Sequence, residues 1–562
     1  MTALARHAFS LIFLLALLLR LGYLAETYDT PVWRWHNWSQ SDMDTFLKVA
    51  DQIRGGDVLV QRPYHPYHLT HKSIGSREQW RVWLGGDQVF YHVPGYYYFL
   101  ALLLKLSAGS VLVVKLVQAL LGAGHAALLG LVGAKLLGRP AGVVTGFLAA
   151  LYGPFIAGEA MLLREGPGNF LAAAGLFFVW RAREATVPAD PHHATRSWLA
   201  AGALLGIGGL MKETGVVLFG AIWLWAFAHS VVGRNPLPKR VPWLLLVGFL
   251  ITLSPLVVRN VIVGAPAFAL SPQLAYSFAL ANVADNPSGG ALFYNSVPGV
   301  PGIMERSNGR TLEAIRLTLL TYEGKPWQIL VNWWARFTAI WSNVETPDNF
   351  SYAYLVTHSA LLRALPEFVC IWLPAVLGLA LLGWQTLRRQ RDVPAAQNDA
   401  WASAAPKSVS LILACLTVQA LLVSLNTVVS RYRLIILPCL ILLAGWTLAQ
   451  AVLWIQHARW KRIAGLSAAL VCLSLIWWIW PSNRMVQAVA IRPVDFLVAT
   501  SDLLQQGDLA GVRHELEQGI FYCFNHAAGT DQSREVCAQT LREAWLKLSG
   551  TFDRSDHIGA SR

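Results

Sequence analysis

Residues 8–26 read AFSLIFLLALLLRLGYLAE, and the polar stretch Gln40-Ser-Asp-Met-Asp-Thr-Phe-Leu-Lys48 follows shortly afterwards. A helix needs about 20 mostly apolar residues to cross a bilayer, so the first run predicts a membrane-spanning helix. Its charged start also resembles a signal peptide, but no small-residue cleavage site follows it. We therefore expect a retained helix, with the acidic pair Asp42 and Asp44 close to the membrane edge.

The rest of the chain has the same apolar character. Of its 562 residues, 55% are hydrophobic and 14% are charged, against about 25% charged in an ordinary soluble domain; the mean hydropathy is +0.44. The 24 Trp, 16 Tyr and 23 Phe suit a chain that crosses membrane interfaces many times, since these rings settle at headgroup level. The composition predicts an all-α polytopic membrane protein.

Apolar runs of spanning length predict about eleven transmembrane helices. They cover approximately residues 8–26, 109–135, 141–161, 166–181, 197–212, 214–232, 241–262, 367–386, 408–425, 434–454 and 463–481. Three polar regions lie between or after them, at about 27–108, 263–366 and 482–562. We expect a transmembrane domain over residues 1–481 and a small helical tail over 482–562.

The net charge of +13 is explained by membrane topology rather than by a nucleic-acid partner, because most Lys and Arg residues fall in short gaps between apolar runs. Short cytoplasmic loops are enriched in these residues. A cytoplasmic N-terminus puts the clusters on the cytoplasmic side: Arg139, Arg181, Arg183, Arg196, Arg234, Lys239, Arg240, Arg388, Arg389, Arg391, Arg459, Lys461 and Arg462. The three polar regions, the C-terminal tail included, are then extracytoplasmic, and the expected location is an inner membrane.

Two extracytoplasmic segments carry further expectations. Residues 93–105 are apolar and aromatic but short, which predicts a juxtamembrane helix in the first loop. In the tail, apolar residues at helical spacing break at Gly507, which predicts a small helical hairpin. Cys523 and Cys537 could form a disulfide there if the tail faces an oxidising compartment.

Ionisable residues recur at the predicted extracytoplasmic ends of the spans, where each is costly unless paired or functional. A carboxylate can act as a general base toward a hydroxyl, and arginine can hold a phosphate. Together they predict group transfer from a lipid-linked phosphate. For Arg164 with Glu165 and for Lys212 with Glu213, plain interfacial anchoring stays an equal alternative.

Motifs of several other activities are missing from the sequence. It contains no Walker A loop, no dinucleotide fingerprint, no zinc-protease helix and no metal-ligand cluster. ATP-driven transport is therefore not expected, no cofactor is assigned, and the sequence does not indicate a divalent metal.

Six segments, taken in order, resemble the GT-C membrane glycosyltransferases, in the bacterial family-39-like branch that includes protein O-mannosyltransferases and lipid A aminoarabinose transferases. The segments are Asp42-Met-Asp-Thr-Phe46 with Gly55-Gly56, His92-Val-Pro-Gly-Tyr-Tyr-Tyr98, Leu163-Arg-Glu165, Gly209-Leu-Met-Lys-Glu-Thr-Gly215, Ser254-Pro-Leu-Val-Val-Arg-Asn260 and Ser430-Arg-Tyr-Arg-Leu-Ile-Ile-Leu-Pro438. The resemblance covers about residues 8–455. Val93 stands where the family has a proline, and Met43 where it often has a glutamate.

The resemblance implies an inverting glycosyltransferase with a GT-C helix bundle, a polyprenyl-phosphate-linked sugar as donor and a hydroxyl acceptor. It implies that Asp42 is the catalytic base, with Asp44 or Glu165 in a second acidic role. The lipid phosphate is expected to bind His92, Arg259, Arg431 and Arg433. The expected substrate-binding residues are Lys212, Glu345, Asn349 and Tyr432.

Two readings of another class remain open at this point. The same acids and arginines could line the path of a non-enzymatic lipid or solute transporter or flippase, although no convincing internal repeat is present. Alternatively, the chain could be an inactive scaffold that binds a lipid-linked sugar. A membrane-face cavity with Asp42 facing the arginines favours the enzyme, whereas polar groups through the full membrane depth favour the transporter.

Overall fold

The computed structural model describes residues 7–65, 76–186, 190–232, 236–286, 288–291, 297–391, 406–478, 490–526 and 538–546. The regular structure within these ranges is helical, which confirms the predicted all-α class. Helices are suited to crossing a membrane because each helix satisfies its backbone polar groups internally.

In the described part of the chain, eleven α-helices precede residue 264. They are α1 Ala8–Thr27, α2 Asp42–Arg54, α3 Arg77–Trp83, α4 Gly95–Leu106, α5 Val111–Leu137, α6 Arg139–Leu151, α7 Gly153–Ala160, α8 Glu165–Thr186, α9 Pro191–Met211, α10 Thr214–Val231 and α11 Val241–Val263. The second polar region contains α12 Gln273–Asn282, α13 Gly299–Ser307, α14 Thr311–Leu320, α15 Trp327–Ala339, α16 Tyr352–Thr357 and α17 Ala360–Arg363.

The rest of the chain has two groups of helices. The later apolar ones, with a short helix among them, are α18 Val369–Arg391, α19 Pro406–Val423, α20 Ser430–Arg433, α21 Leu437–Gln456 and α22 Trp460–Trp478. The tail contains α23 Pro493–Gln506 and α24 Leu509–His526. Gly507 ends α23 in a left-handed conformation, with φ of 76°, so the hairpin predicted in the tail is present.

A helix lies at each of the eleven predicted spans, but not all are long and apolar enough to cross a membrane by themselves. Within the described residues six helices meet that condition: α1, α5, α10, α11, α21 and α22. The predicted single span 141–161 is a bent pair, α6 and α7, with an angle of 50° between them. Pro154 is the second residue of α7, in the first turn of a helix, where proline is tolerated because the N–H that it lacks would be unpaired there. The count of eleven crossings stays a prediction.

Small residues allow the helices of the bundle to pack closely. α5 packs against α1, α6 and α8, while α9 packs against α8 and α11. At Gly142 on α6, an added Cβ would lie 2.3 Å from the backbone nitrogen of Ala134 on α5. This backbone contact requires glycine, as is common where membrane helices meet.

A buried arginine joins the second polar region to the bundle. Arg336 on α15 donates to the carbonyl oxygens of Ala281 and Ser424, at 2.9 and 2.8 Å. The backbone carbonyl oxygens stabilise its positive charge, and through them Arg336 connects α12 to the end of α19. The loop that follows α15, residues 340–351, thereby starts from a fixed point beside the bundle.

Candidate functional site

Asp42 is held at the start of α2. Ser41 precedes the helix and its Oγ accepts a hydrogen bond from the backbone N–H of Asp44, at 3.2 Å. Serine is a favoured residue at this position because its oxygen satisfies a free N–H of the first turn. Asp42 is thus the first residue of the helix, where the positive end of the helix dipole favours a carboxylate.

Three side chains from distant parts of the chain contact the Asp42 carboxylate. Arg431 Nη2 lies 2.7 Å from Oδ2, and His92 Nε2 lies 3.2 Å from Oδ1. Asn349 Nδ2 donates to Oδ2 at 3.0 Å, while its Oδ1 accepts from the Asp42 backbone N–H at 2.6 Å. Asp42 therefore lies where the first polar region, the second polar region and α20 meet.

Arg431 is shared by three carboxylates. Besides Asp42, its Nε contacts Asp348 and its Nη1 lies 3.7 Å from Glu165 Oε1. No hydrogen-bond acceptor within the described residues pairs with Nη1. One guanidinium thus links the start of α2, the start of α8 and the loop 340–351, and it keeps a free buried donor.

Arg164, Glu165, Lys212 and Glu213 form two crossed ion pairs. Arg164 Nη1 lies 2.9 Å from Glu213 Oε1, and Lys212 Nζ lies 2.7 Å from Glu165 Oε1. Arg164, Glu165 and Lys212 are buried, so they are not side chains reaching out to the headgroups. The pairs join the turn before α8 to the break between α9 and α10.

The segment that carries His92 reaches the same break through a close backbone contact. An added Cβ on Gly95 would lie 2.6 Å from the carbonyl oxygen of Leu210, so this position needs glycine. The His92 ring packs 5.0 Å from the Phe46 ring, and the backbone N–H of Val93 donates to Glu213 at 3.4 Å. Aromatic rings and the α9–α10 break together fix the position of His92.

The charges around Asp42 set its protonation. Burial alone would raise the pKa of the Asp42 carboxyl, but the charge of Arg431, the contact with His92 and the charge of Arg164 hold it well below its usual range. Burial, helped by Arg164, lowers the pKa of His92 more than Asp42 raises it. Near neutral pH the site therefore holds an ionised Asp42 beside a neutral imidazole.

A cavity opens next to Lys212, between α8, α9, α10, α19 and α21. It is a narrow space of about 30 Å³, partly open to the outside. Glycines and apolar side chains form most of its wall, with Asn169, Thr214 and Gln419 as uncharged polar exceptions. It is thus an apolar space between helices with a cation at one end.

Asp44 and Arg259 have other partners than the ones expected. Asp44 Oδ2 lies 2.7 Å from Lys48 Nζ, one turn along α2, and burial raises the pKa of Asp44 against the opposing effect of Lys48. Arg259 donates to the carbonyl oxygens of Leu59 at 2.8 Å and Gln88 at 2.6 Å, and also to that of Val60. Its ring contact is with Phe90, 4.1 Å from the centroid. Arg259 thus fastens the first polar region to the end of α11.

Arg433 and Glu345 form a separate buried pair. Arg433 Nη2 lies 2.5 Å from Glu345 Oε1, which also accepts from the Tyr152 hydroxyl at 2.7 Å. Arg433 points away from Arg431, although only two residues separate them on α20. The Tyr432 ring lies beside Arg431 and Lys212, with its centroid 5.9 and 6.0 Å from their charged groups, and so it borders the Asp42 cluster.

Arg164, Glu213 and Asp348 complete the cluster without having been assigned a role from the sequence. The available signal was their position at the ends of spans on the same predicted side. No motif distinguished their partners.

Within the described residues, no group of three or more His, Cys, Asp or Glu side chains could hold a metal ion. Cys523 is disulfide-bonded, and Cys537, its predicted partner, lies outside the described residues.

Comparison with known proteins adds one family match. Residues 91–258 match the family described as "Dolichyl-phosphate-mannose-protein mannosyltransferase". This segment contains His92, Glu165 and Lys212, and it ends one residue before Arg259. The match confirms the resemblance to the GT-C glycosyltransferases and supports a membrane glycosyltransferase of that type. The comparison with curated proteins gave no match.

Solved structures of the Archaeoglobus fulgidus oligosaccharyltransferase are also similar to this chain. The apo form has 13% identity and a TM-score of 0.45, with 86% of this chain and 56% of that chain covered. The archaeal oligosaccharyltransferase AglB with an inhibitory peptide and a dolichol-phosphate has 11% identity and a TM-score of 0.44, with 95% and 61% covered. The present chain therefore spans less than two thirds of the length of either.

Proposed function

We propose that this protein transfers a sugar from a polyprenyl-phosphate donor to an acceptor hydroxyl at the extracytoplasmic face of the membrane. The observation that carries the proposal is the contact between Asp42 and Arg431, 2.7 Å apart. It puts a carboxylate able to accept a proton next to a cation able to receive a phosphate. The family match over residues 91–258 supports the same class of reaction.

The donor phosphate is proposed to bind Arg431, with Lys212 close by. Arg431 Nη1 and Arg164 Nε are buried donors without an acceptor among the described residues, and such a group costs about 1–3 kcal/mol. A phosphate oxygen would satisfy these donors and replace a carboxylate at Arg431. His92, neutral beside Asp42, is proposed to orient the carboxylate rather than bind the phosphate through charge.

The cavity next to Lys212 is the proposed place for the first part of the polyprenyl chain. Its apolar wall lies between helices of the bundle, and because the space is narrow, the side chains of this wall would move apart to admit an isoprenoid. Lys212 at its end would keep the phosphate close to Arg431, because Lys212 Nζ also donates to the Arg431 carbonyl oxygen at 3.2 Å. The proposed ligand therefore has an anionic head beside Lys212 and an apolar tail along this wall.

In the proposed reaction Asp42 takes the proton of the acceptor hydroxyl. The acceptor oxygen forms a bond to the anomeric carbon while the bond from that carbon to the phosphate oxygen breaks, and a single displacement inverts the configuration. The departing phosphate gains one negative charge, which Arg431 is placed to stabilise. When Arg431 turns toward the phosphate, Asp42 loses part of its strongest counter-charge and becomes a better base.

Glu165, rather than Asp44, is proposed as the second acidic residue. Glu165 is linked to Asp42 through Arg431 and to the cavity through Lys212, whereas Asp44 pairs with Lys48. Tyr432 and Asn349 border the same space, and they are proposed to contact the substrate or hold Asp42. Arg259, Arg433 and Glu345 are proposed to stabilise the surrounding loops.

The proposal is tested with purified protein and a panel of polyprenyl-phosphate sugars, each with and without an acceptor alcohol. We expect free polyprenyl phosphate and an inverted glycoside in equal amounts, and only with acceptor present. Vesicles loaded with the same lipids provide the comparison with a transporter. Movement of an intact donor between leaflets without release of polyprenyl phosphate would contradict the proposal.

A further inference from the structure

The C-terminal hairpin, formed by α23 and α24, contacts the two segments that hold Asp42. One is the stretch of the first polar region just before α2, and the other is the loop 345–351 of the second polar region. The transferase mechanism does not use the hairpin, and the sequence suggested no more than a small appendage. Its contacts nevertheless converge on the backbone next to the reacting carboxylate.

Arg492, the residue before α23, makes the contact with the loop 345–351. Its guanidinium donates to the carbonyl oxygen of Asp348 and pairs with Asp495, Nη2 to Oδ1, at 2.9 Å. Asp495 also accepts a hydrogen bond from the hydroxyl of Ser351 and is fully buried. The start of α23 thus holds both sides of residues 348–351.

The contact with the first polar region is made by Asp502 on α23. Its carboxylate accepts two parallel hydrogen bonds from Arg34, at 2.9 Å from Nε and 2.8 Å from Nη2, a geometry that fixes orientation as well as distance. Arg34 lies directly before the 3-10 turn Trp35–Asn37. Trp35 Nε1 in turn donates to the Asn349 carbonyl oxygen at 3.1 Å, so the two held segments are joined to each other.

A second set of contacts fastens α24 to α16. Glu515 accepts from the Tyr354 hydroxyl at 3.0 Å and lies 2.9 Å from His358 Nε2. These contacts explain why the hairpin lies against the bundle at all. The contacts of Arg492, Asp495 and Asp502, by comparison, lead to residues 34–42 and 345–351.

From these contacts we infer that the C-terminal hairpin is a positioning element for the transferase site, with Arg492 as its principal positioning residue. Asp348 contacts Arg431, and its neighbour Asn349 makes two hydrogen bonds to Asp42. Arg492 therefore holds the backbone at Asp348, whose side chain contacts Arg431 and whose neighbour Asn349 contacts Asp42. The inference rests on the proposed transferase function, since that function gives the position of Asp42 its importance.

A displacement of about 1 Å caused by a change far from the chemistry can cost about 10² in rate. We expect Arg492→Ala to lower kcat by up to about that factor, while the KM for the polyprenyl-phosphate donor stays unchanged, because Arg492 does not contact the cavity. Arg492→Lys should restore much of kcat, since an ammonium still donates to the Asp348 carbonyl oxygen. Arg513→Ala, which removes an exposed arginine of α24 that pairs with Glu517, is the matched control and should behave as wild type.

The experiment combines steady-state kinetics with amide hydrogen exchange on the full-length wild type and the three variants. In Arg492→Ala we expect faster exchange in residues 342–351 and at the Asp42 amide, whose N–H bonds to Asn349, and in Arg513→Ala no change there. If Arg492→Ala folds poorly, Asp502→Asn replaces it, because this variant weakens the contact between the hairpin and Arg34. It is expected to give the same exchange pattern. Wild-type kcat in a folded Arg492→Ala, or faster exchange confined to residues 490–526, would overturn the inference.

The outcome separates this inference from the proposed function. If wild type turns over no donor, the transferase proposal fails and the exchange data alone decide whether the hairpin holds residues 42 and 342–351. If wild type is active and Arg492→Ala loses donor affinity instead of kcat, the hairpin serves binding and the positioning role is rejected.

Discussion

The sequence suggested both Arg431 and Arg259 as phosphate ligands, but their surroundings differ. The Arg431 side chain is 11% exposed and Arg259 is buried. Arg431 is surrounded by the carboxylates of Asp42, Asp348 and Glu165. Arg259 is surrounded by the backbone carbonyl oxygens of residues 59, 60 and 88. An anionic ligand can replace one of several carboxylates at Arg431. At Arg259 it would have to break the contacts that shape the first polar region.

The difference shows how a functional arginine can be told from a structural one in this bundle. A guanidinium whose N–H groups point mostly to main-chain oxygens fixes the chain around it, as Arg336 does between α12 and α19. A guanidinium that shares its charge among carboxylates and keeps an unpaired N–H can exchange partners. Only the second kind can respond to a substrate.

Between the two arginines, the largest expected effect is on activity. Arg431→Gln removes the charge next to the departing phosphate, and loss of one such stabilising donor typically costs about 10²–10³ in kcat. Arg431→Lys keeps a charge but not the fork of donors, and should lie between this variant and wild type. The measurement is the rate of polyprenyl phosphate release at saturating donor. A wild-type rate in Arg431→Gln would remove Arg431 from the mechanism.

The next effect concerns stability at Arg259. Arg259→Gln leaves buried carbonyl oxygens without their donor, which we expect to lower the free energy of unfolding by about 1–3 kcal/mol while the folded fraction retains most of its kcat. Denaturant unfolding and the kinetic assay are run on the same preparation. The matched control is Arg316→Gln on α14, which removes an exposed pair with Glu313 and should leave stability near wild type. A stable Arg259→Gln with a greatly raised donor KM would instead return Arg259 to the phosphate site.

The smallest effect is a shift in pH dependence at Asn349. A general base works only when deprotonated, so activity falls as the pH drops through its pKa. Because Arg431 and His92 hold the pKa of Asp42 well below its usual range despite burial, the acidic limb of kcat/KM should lie below pH ~4, the ordinary aspartate value. Asn349→Ala removes a hydrogen bond to the charged form, so the pKa rises and the limb moves to higher pH. An unchanged limb would show that Asn349 does not stabilise the Asp42 carboxylate.

The helices and one side of the site could be predicted from the sequence because apolar run length and motif order are local signals. They placed a helix at each expected span, and they placed Asp42, His92, Glu165, Lys212 and Arg431 in one neighbourhood. The break between α6 and α7 had a local signal in Gly153-Pro154, although the predicted span passed through it.

The partners of the arginines could not be predicted because they depend on where polar loops fold back. Nothing in Ser254-Pro-Leu-Val-Val-Arg-Asn260 shows that residues 59, 60 and 88 would present their carbonyl oxygens to Arg259. Two residues on a short helix such as α20 can also face different ways, which is why Arg431 reaches Asp42 while Arg433 pairs with Glu345. The crossing of the Arg164 and Lys212 pairs arises in the same way, from the approach of two turns that are distant in sequence.

The most direct test of the central claim compares Asp42→Asn with Asp44→Asn in a single-turnover assay at saturating donor. Asparagine keeps the size of aspartate, so both variants should fold, but it cannot accept the acceptor's proton. The account predicts that Asp42→Asn loses about 10²–10⁴ in rate, whereas Asp44→Asn, which only frees Lys48, stays within a few-fold of wild type. A fast Asp42→Asn together with a slow Asp44→Asn would contradict the account and move the base two residues along α2.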